Sequence, residues 1–385
     1  MKASNVKEGL SLYQSLGKEK SIVSIGYSHI VLNDRQKGTV VAFGDNEHGE
    51  CNVSTWRDIS YVFAGDYYTL GVKFDGTICL AGGGTESSGI KDFEGICVKK
   101  VFPGSDSLIA IQKNGTYLFS KLCESLLPQA DKDFLRTANI KQIVYARNFQ
   151  YENKFVDAPV YALLENGCVY PLKGAAKEVK TWRDITQVVI HDNVTGGNTV
   201  FGLKKDGTVL AAGNVSKEES AVSEWKDIIS ILDGSTCLFG LKKDGTVLCT
   251  GKDAETVSKW NNIIQIARSF ITVGLTNDGR VLFAEDYPTS DSWLSGSEIA
   301  KCDDIIGIED GPNNIVAISA SGKIYICGRN SSKECKGNGE VIFDDIKNVV
   351  TYQRKRENRC AHCGGRFKGF IIKKCSNCGK KKDYK

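Results

Sequence analysis

GLKKDGTVLAAG, from Gly202 to Gly213, is the stretch that decides the fold. It recurs as GLKKDGTVLCTG at 240–251 and as GVKFDGTICLAG at 71–82. Each copy is an alternating apolar run, an Asp-Gly pair and a second alternating run that ends at glycine. Asp-Gly between two such runs is a strong short-range hairpin signal, and it predicts a tight primed turn with positive φ at both central residues. The repeat therefore encodes a β-hairpin, and the chain reads as copies of it with an appendage.

Turn signals follow at Lys37-Gly38, Asp75-Gly76, Asn114-Gly115, Asn166-Gly167, Asp206-Gly207, Asp244-Gly245, Asp278-Gly279 and Ser321-Gly322, with successive glycines 38, 39, 52, 40, 38, 34 and 43 residues apart. A period near forty, with four short strands per unit, is the pattern of an all-β propeller. Another strand precedes each hairpin. Several are announced by tryptophan, as in Trp56-Arg-Asp-Ile59, Trp182-Arg-Asp-Ile185, Trp225-Lys-Asp-Ile228 and Trp260-Asn-Asn-Ile263. An indole recurring at one repeat position reads as packing between units.

This unit resembles the regulator of chromosome condensation repeat in its compact bacterial-style form, over about residues 22–350. The resemblance implies a β-propeller. The count gives eight blades; relatives most often close with seven, and seven follows if the diverged fourth unit, Tyr161–Tyr170, is not a separate blade. The segment Asp345–Thr351 repeats the opening-strand pattern and is expected to close the ring on the first unit. The family includes a guanine-nucleotide exchange factor, protein inhibitors of β-lactamase and binding modules, so the repeat specifies fold and not function. His29 falls where the family often has histidine, which implies a structural hydrogen-bonding role.

Three segments result: an arm or short helix at 1–21, a propeller at 22–353 and a basic ribbon at 354–385. The first 21 residues hold no apolar run of signal or membrane length, which points to a cytoplasmic protein with reduced thiols. No nucleophile–base set, carboxylate pair or phosphate-cradling loop stands out, and Gly82-Gly83-Gly84 lacks the lysine of a P-loop. The chain reads as non-enzymatic, with no small-molecule substrate.

The ribbon carries the one motif with chemistry. CAHCGGRFKGFIIKKCSNC at 360–378 sets two C-x-x-C pairs eleven residues apart. Cys360, Cys363, Cys375 and Cys378 suit a tetrahedral structural Zn²⁺; the same four thiolates would also hold iron. The other ten cysteines read as small buried hydrophobes. Residues 354–385 hold twelve Lys/Arg against two Asp/Glu, leaving 38 against 44 elsewhere, an acidic body with a basic tip. Arg354, Lys355, Arg356, Arg359, Lys373, Lys374, Lys380, Lys381 and Lys382 are the candidate contacts to a polyanion such as nucleic acid.

Loop lengths mark one face. Nine residues separate the same landmarks in three units, from Val62 to Gly71, Val101 to Ala110 and Ile231 to Gly240. The gap is 19 from Ile143 to Ala162 and 14 from Val188 to Gly202. Two neighbouring units thus carry long loops, 147–159 and 191–198, and Phe149, Tyr151 and Phe155 are candidate anchors for a protein partner. A further insertion, 121–136, is expected to be helical. The resulting expectation is a binding scaffold with the ribbon as second contact; a nucleic-acid adaptor and a regulator of an enzyme (exchange factor or inhibitor) are the alternatives.

Overall fold

The computed structural model describes residues 22–34, 37–83, 88–145, 159–173, 175–193, 197–234, 237–269, 271–284, 299–300, 302, 304–320, 323–328, 360, 366–369, 373–376 and 379–382. The expected N-terminal arm and the closing segment Asp345–Thr351 lie outside these residues.

The chain is built of strands. Eight three-stranded antiparallel sheets follow one another in sequence among the described residues. They are β1 (Val23–Ile25), β2 (His29–Asp34), β3 (Thr39–Gly44); β4 (Ile59–Ala64), β5 (Tyr68–Lys73), β6 (Ile78–Gly82); β7 (Val98–Gly104), β8 (Ser107–Gln112), β9 (Tyr117–Phe119); and β10 (Ile140–Tyr145), β11 (Val160–Leu164), β12 (Val169–Pro171). The others are β13 (Ile185–Asn193), β14 (Gly197–Lys204), β15 (Val209–Gly213); β16 (Ile228–Asp233), β17 (Leu238–Lys242), β18 (Val247–Cys249); β19 (Ile263–Arg268), β20 (Thr272–Thr276), β21 (Val281–Phe283); and β22 (Ile305–Asp310), β23 (Asn314–Ser319), β24 (Ile324–Gly328). A small hairpin, β25 (Phe367–Lys368) with β26 (Lys374–Cys375), follows. The insertion at 121–136 is helical as expected, in two pieces, α1 (Lys121–Leu126) and α2 (Gln129–Thr137).

Among the described residues each of these sheets has three strands where four were expected. After the third strand the chain returns through a short 3₁₀ turn, as at Lys177–Thr181 and Glu219–Glu224, and not as a regular edge strand. A single bridge, Thr77 to Cys97, is what remains of a fourth pairing in the second sheet.

The hairpin turns also differ from expectation. Gly207 N–H donates to the Lys204 carbonyl at 3.0 Å, and Lys204 N–H donates to the Thr208 carbonyl at 2.9 Å. That is a three-residue loop with one left-handed glycine and a bulge. Only the glycine takes positive φ: +83° at Gly207 and at Gly245, +87° at Gly279. The preceding aspartate serves as an acceptor. Asp206 Oδ1 receives the Thr208 N–H at 3.0 Å and its hydroxyl at 2.6 Å. Asn114 and Asn166 do the same for Thr116 and Cys168, which explains Asp or Asn at this position.

The non-glycine residues with positive φ among those described are Asp58, Asp184, Asp227 and Asn262, near +60°. All stand two residues after a tryptophan of the repeat. Each turns the chain into a new sheet directly above the preceding hairpin glycine. Ile185 N–H donates to Gly167 C=O at 2.9 Å, Ile228 N–H to Gly207 C=O at 3.0 Å, and Ile263 N–H to Gly245 C=O at 2.9 Å. Ile59 and Ile305 make the same bond to Gly38 and Gly279. The tryptophans pack as expected. A Cβ added at Gly202 or Gly240 would lie 2.6 Å from Cζ3 of Trp182 or Trp225, so the central strand needs glycine where the indole crosses it.

By contacts the chain divides into two compact units, residues 1–64, 71–74 and 264–385 in one and 65–70 and 75–263 in the other. In the second unit the fifth and sixth sheets share a core of Phe201, Leu203, Val222, Trp225, Ile228 and Leu238. In the first unit the first and last sheets pack together through Ile22, Ile30, Leu32, Ile306, Val316 and Ile318. Asn313 Nδ2 there donates to the Tyr27 carbonyl at 2.7 Å.

The junction gives a paired test. Gly207 and Gly115 both have positive φ, but a Cβ at Gly207 would meet the Ile228 nitrogen at 3.1 Å, whereas Gly115 has open space. Gly207→Val is expected to cost about 1–3 kcal/mol for the strained backbone, and Gly115→Val less. Urea unfolding of both variants checks the order; equal losses would remove the junction from the explanation.

Candidate functional site

In the long segment at 191–198, residues 191–193 and 197–198 are strand and not loop. In the sixth sheet the first hairpin ends two pairs beyond Ile231↔Gly240, at Asp233↔Leu238. In the eighth it likewise ends two pairs beyond Ile308↔Ala317, at Asp310↔Ile315. In the fifth sheet β13 and β14 stay paired for five residues beyond Val188↔Gly202, through His191↔Thr199 and Asp192↔Asn198 to Asn193↔Gly197. Extra residues inserted symmetrically on both sides of a hairpin lengthen the ladder without breaking register. The result is a projecting two-stranded element on the side opposite the Asp-Gly turns. Phe149, Tyr151 and Phe155 of the neighbouring unit lie outside the described residues.

At the base of this hairpin is a buried polar cluster that the sequence reading missed. His191 Nδ1 lies 2.7 Å from Asp233 Oδ1, the last residue of β16. His191 Nε2 lies 4.0 Å from Glu219 Oε1. The side chains of His191 and Glu219 are 4% and 6% exposed, so these groups face one another away from solvent. Glu219 Oε2 receives the Ser216 N–H at 2.7 Å and the Thr199 hydroxyl at 3.2 Å. Glu219 N–H in turn donates to Ser216 Oγ at 3.2 Å. Ser216-Lys-Glu-Glu219 is thus a capping box, with side chain and backbone satisfied reciprocally. That S-x-x-E spacing was the available signal. It marks Glu219 as ordered, although nothing in sequence brings His191 and Asp233, 42 residues apart, to it.

Two other ionisable groups, one buried and one half-buried, lie near strand ends of other sheets. His29 is 1% exposed, and burial pushes its imidazole down to about 4, with Asp45 pulling the other way. Asp66, between β4 and β5, has its N–H bound to the Ser105 carbonyl at 2.8 Å. Burial, then the neighbouring Asp106 charge, push its carboxyl up to about 6, with a Ser105 hydrogen bond opposing.

In the ribbon, Cys360 and Cys375 are described and buried, at 3% and 4% exposure, while Cys363 and Cys378 lie outside the described residues. The second knuckle has the form expected of a thiolate turn. Gly379 takes φ +70° and its N–H donates to the Cys375 carbonyl at 3.0 Å. Around these two sulfurs the described chain is polar: Arg366, Lys368, Lys373, Lys374, Lys380 and Lys381 are exposed and Lys382 half-buried. Arg354, Lys355, Arg356 and Arg359 lie outside the described residues. Of the remaining cysteines, Cys79, Cys123 and Cys237 are buried as expected, whereas Cys51, Cys97, Cys168, Cys249 and Cys302 are half-buried. Cys97, Cys168 and Cys249 sit at strand ends, and Cys51 and Cys302 in the connections before β4 and β22. No helix among the described residues is long and apolar enough to cross a membrane.

No protein-family model and no curated protein matches the chain. Among solved structures it is similar to the CRINKLY WD40 ectodomain of the receptor kinase ACR4 from Arabidopsis thaliana, at 14% identity and TM-score 0.46, over 82% of this chain and 97% of that one. It is also similar to the ectodomain of the receptor kinase CR4 from Physcomitrella patens, at 13% identity and TM-score 0.43, over 80% and 73%. A third is Prp20p from Saccharomyces cerevisiae, at 11% identity and TM-score 0.36, over 86% and 85%.

The two shifted groups give opposite pH slopes. Folded Asp66 keeps its proton up to about pH 6, while the unfolded chain ionises near 3.8, so its contribution to stability falls as pH rises between those values. Folded His29 stays neutral down to about pH 4, while the unfolded chain protonates near 6.5, so its contribution falls as pH drops through that window. Asp66→Asn should stabilise the protein by about 1–3 kcal/mol at pH 7 and leave it unchanged at pH 3. Denaturant midpoints across pH check this; no gain at neutral pH would mean that Asp66 is ionised without cost.

Proposed function

We propose that this chain is a non-enzymatic binding scaffold: an eight-bladed β-propeller of the regulator of chromosome condensation type that offers one face to a protein partner, with a zinc ribbon as a second contact. The eight sheets in sequence order, the junction repeated between them and the packing of the first sheet on the last support the propeller. The observation that carries the binding role is the β13–β14 hairpin, which runs three residue pairs further than the hairpin of the sixth sheet. A repeat fold keeps its connections short unless a longer one has a use, and recognition residues concentrate on such extensions of a rigid frame. Phe149, Tyr151 and Phe155, from the adjoining unit, are the aromatic anchors in this reading.

Cys360, Cys363, Cys375 and Cys378 would hold one Zn²⁺ in a closed, structural site. The metal supplies the folding free energy that so small a segment lacks, on the order of 10 kcal/mol. A nucleic-acid contact is the second reading. It is favoured by the exposed Lys373, Lys374, Lys380 and Lys381 on the β25–β26 hairpin, which would make binding strongly salt-dependent.

Two experiments test these readings. Elemental analysis of protein purified without chelators is expected to give one zinc per chain. Cys375→Ser should release it and leave the strand-rich circular dichroism unchanged; metal-free protein with an ordered ribbon would refute the site. For the partner, affinity capture would compare the full chain, a variant carrying Phe149→Ala and Tyr151→Ala, and a chain ending at residue 353. The double variant is expected to lose tenfold or more, the order of one interface hot spot worth about 2 kcal/mol. Capture that survives it but vanishes on truncation would assign binding to the ribbon.

A further inference from the structure

We propose that His191, Glu219 and Asp233 form a proton-operated latch that fixes the projecting β13–β14 hairpin to the following sheet. The argument is one of valence and burial. Asp233 Oδ1 lies 2.7 Å from His191 Nδ1, a distance that places a proton between them. Two of the four hydrogen-bonding capacities of the Glu219 carboxylate are used, both at Oε2. Oε1 is shielded from solvent and has no hydrogen-bond partner among the described residues. The nearest donor site to it is His191 Nε2, at 4.0 Å.

A neutral imidazole with its proton on Nδ1 turns a bare nitrogen lone pair toward that orphaned oxygen. Two carboxylates then flank an uncharged ring on the shielded side of the hairpin base, which is costly. An imidazolium supplies N–H groups to both sides, Nδ1–H to Asp233 and Nε2–H toward Glu219. The geometry is therefore that of the charged ring. The charged groups facing His191 among the described residues are Asp233, on β16, and Glu219, in the turn that leads into that strand. Thr199, on β14, holds Glu219 from the hairpin side.

The three groups join three pieces of chain. His191 and Thr199 belong to the hairpin, Glu219 to the 3₁₀ turn and Asp233 to the next sheet. Loss of one proton from His191 removes the cation that stands between Glu219 and Asp233, and the hairpin base is left with like charges across it. The latch is closed when His191 is protonated and opens as pH rises through its titration. Its effect on partner capture rests on the reading of this hairpin as the partner-facing element; the latch itself does not.

Hydrogen–deuterium exchange on the full chain, corrected for the intrinsic pH dependence, tests it without a partner. Between pH 5.5 and 8.5, peptides covering 187–203 should lose protection tenfold or more. Peptides covering β19–β20, residues 263–276, which carry no histidine or carboxylate, should stay level. His191→Gln should remove the pH dependence, and Glu219→Gln should reduce it. The chain has four histidines, so proton NMR can follow the His191 ring directly, even if a variant fails to fold. It should hold its proton to a higher pH than histidine in an unstructured peptide. Level protection across the range, an unchanged slope in His191→Gln, or a ring that loses its proton at or below the peptide value would each overturn the latch. A latch that titrates as expected while capture is indifferent to pH would leave the latch standing and count against the hairpin as the docking element.

Discussion

The rest of the structure depends on one hydrogen bond, made at every junction between successive sheets except the third to the fourth, from the first N–H of the new sheet to the carbonyl of the glycine that turned the previous hairpin. The glycine is left-handed at each of these junctions, which points its carbonyl onward. In four copies the residue before the new strand is left-handed as well and sets its chain over that carbonyl: Asp58, Asp184, Asp227 or Asn262. A non-glycine residue in that region costs about 1–2 kcal/mol, least for Asp and Asn. Tryptophan two residues earlier offsets this strain by burying its ring on the central strand, which must be glycine beneath it. Turn, left-handed aspartate, indole and small central residue therefore form one device. The four recur together at these four junctions, while Val98 and Ile305 make the backbone bond without a tryptophan before them.

That coupling is why so much of the fold was legible. The Asp-Gly spacing, the tryptophan motif and the alternating runs are separate sequence signals for one physical contact. The turn type was not legible, because Asp-Gly serves a primed two-residue turn and a three-residue bulged turn equally well. Only the bond from Gly207 N–H to Lys204 C=O shows that the aspartate is an acceptor and not a left-handed residue. The fourth strand was over-read for a related reason. Four strands per unit were expected from the repeat period alone, whereas the return segments are polar and their valines, such as Val179 and Val222, sit in 3₁₀ turns that lead to the next tryptophan.

The candidate site was less legible because its parts come from distant segments. Counting residues between landmarks found that the fifth unit is long, but length does not distinguish loop from ladder. HDNVTGGN reads as a loop by composition, and the structure pairs His191, Asp192 and Asn193 as strand. The difference bears on function. A loop that orders on binding loses conformational entropy at that moment, whereas a paired hairpin has lost it on folding. A projection of this kind favours recognition by a pre-set surface, and its orientation is governed by what holds its base.

The two halves of the proposed scaffold draw their stability from different physics. The sheets are held by apolar burial and by the repeated backbone junction, neither of which responds to metal or to moderate salt. The ribbon has few apolar residues and a high density of like charge. Ten net positive charges in its 32 residues oppose folding, and four thiolates gathered on one divalent ion would both offset that repulsion and fix the knuckles. The charge that makes the ribbon hard to fold also makes it attractive to an anion. A metal core would then convert a repelling tail into a presented surface. Metal supply would set whether the second contact exists, while the first, on the sheet scaffold, stays in place regardless.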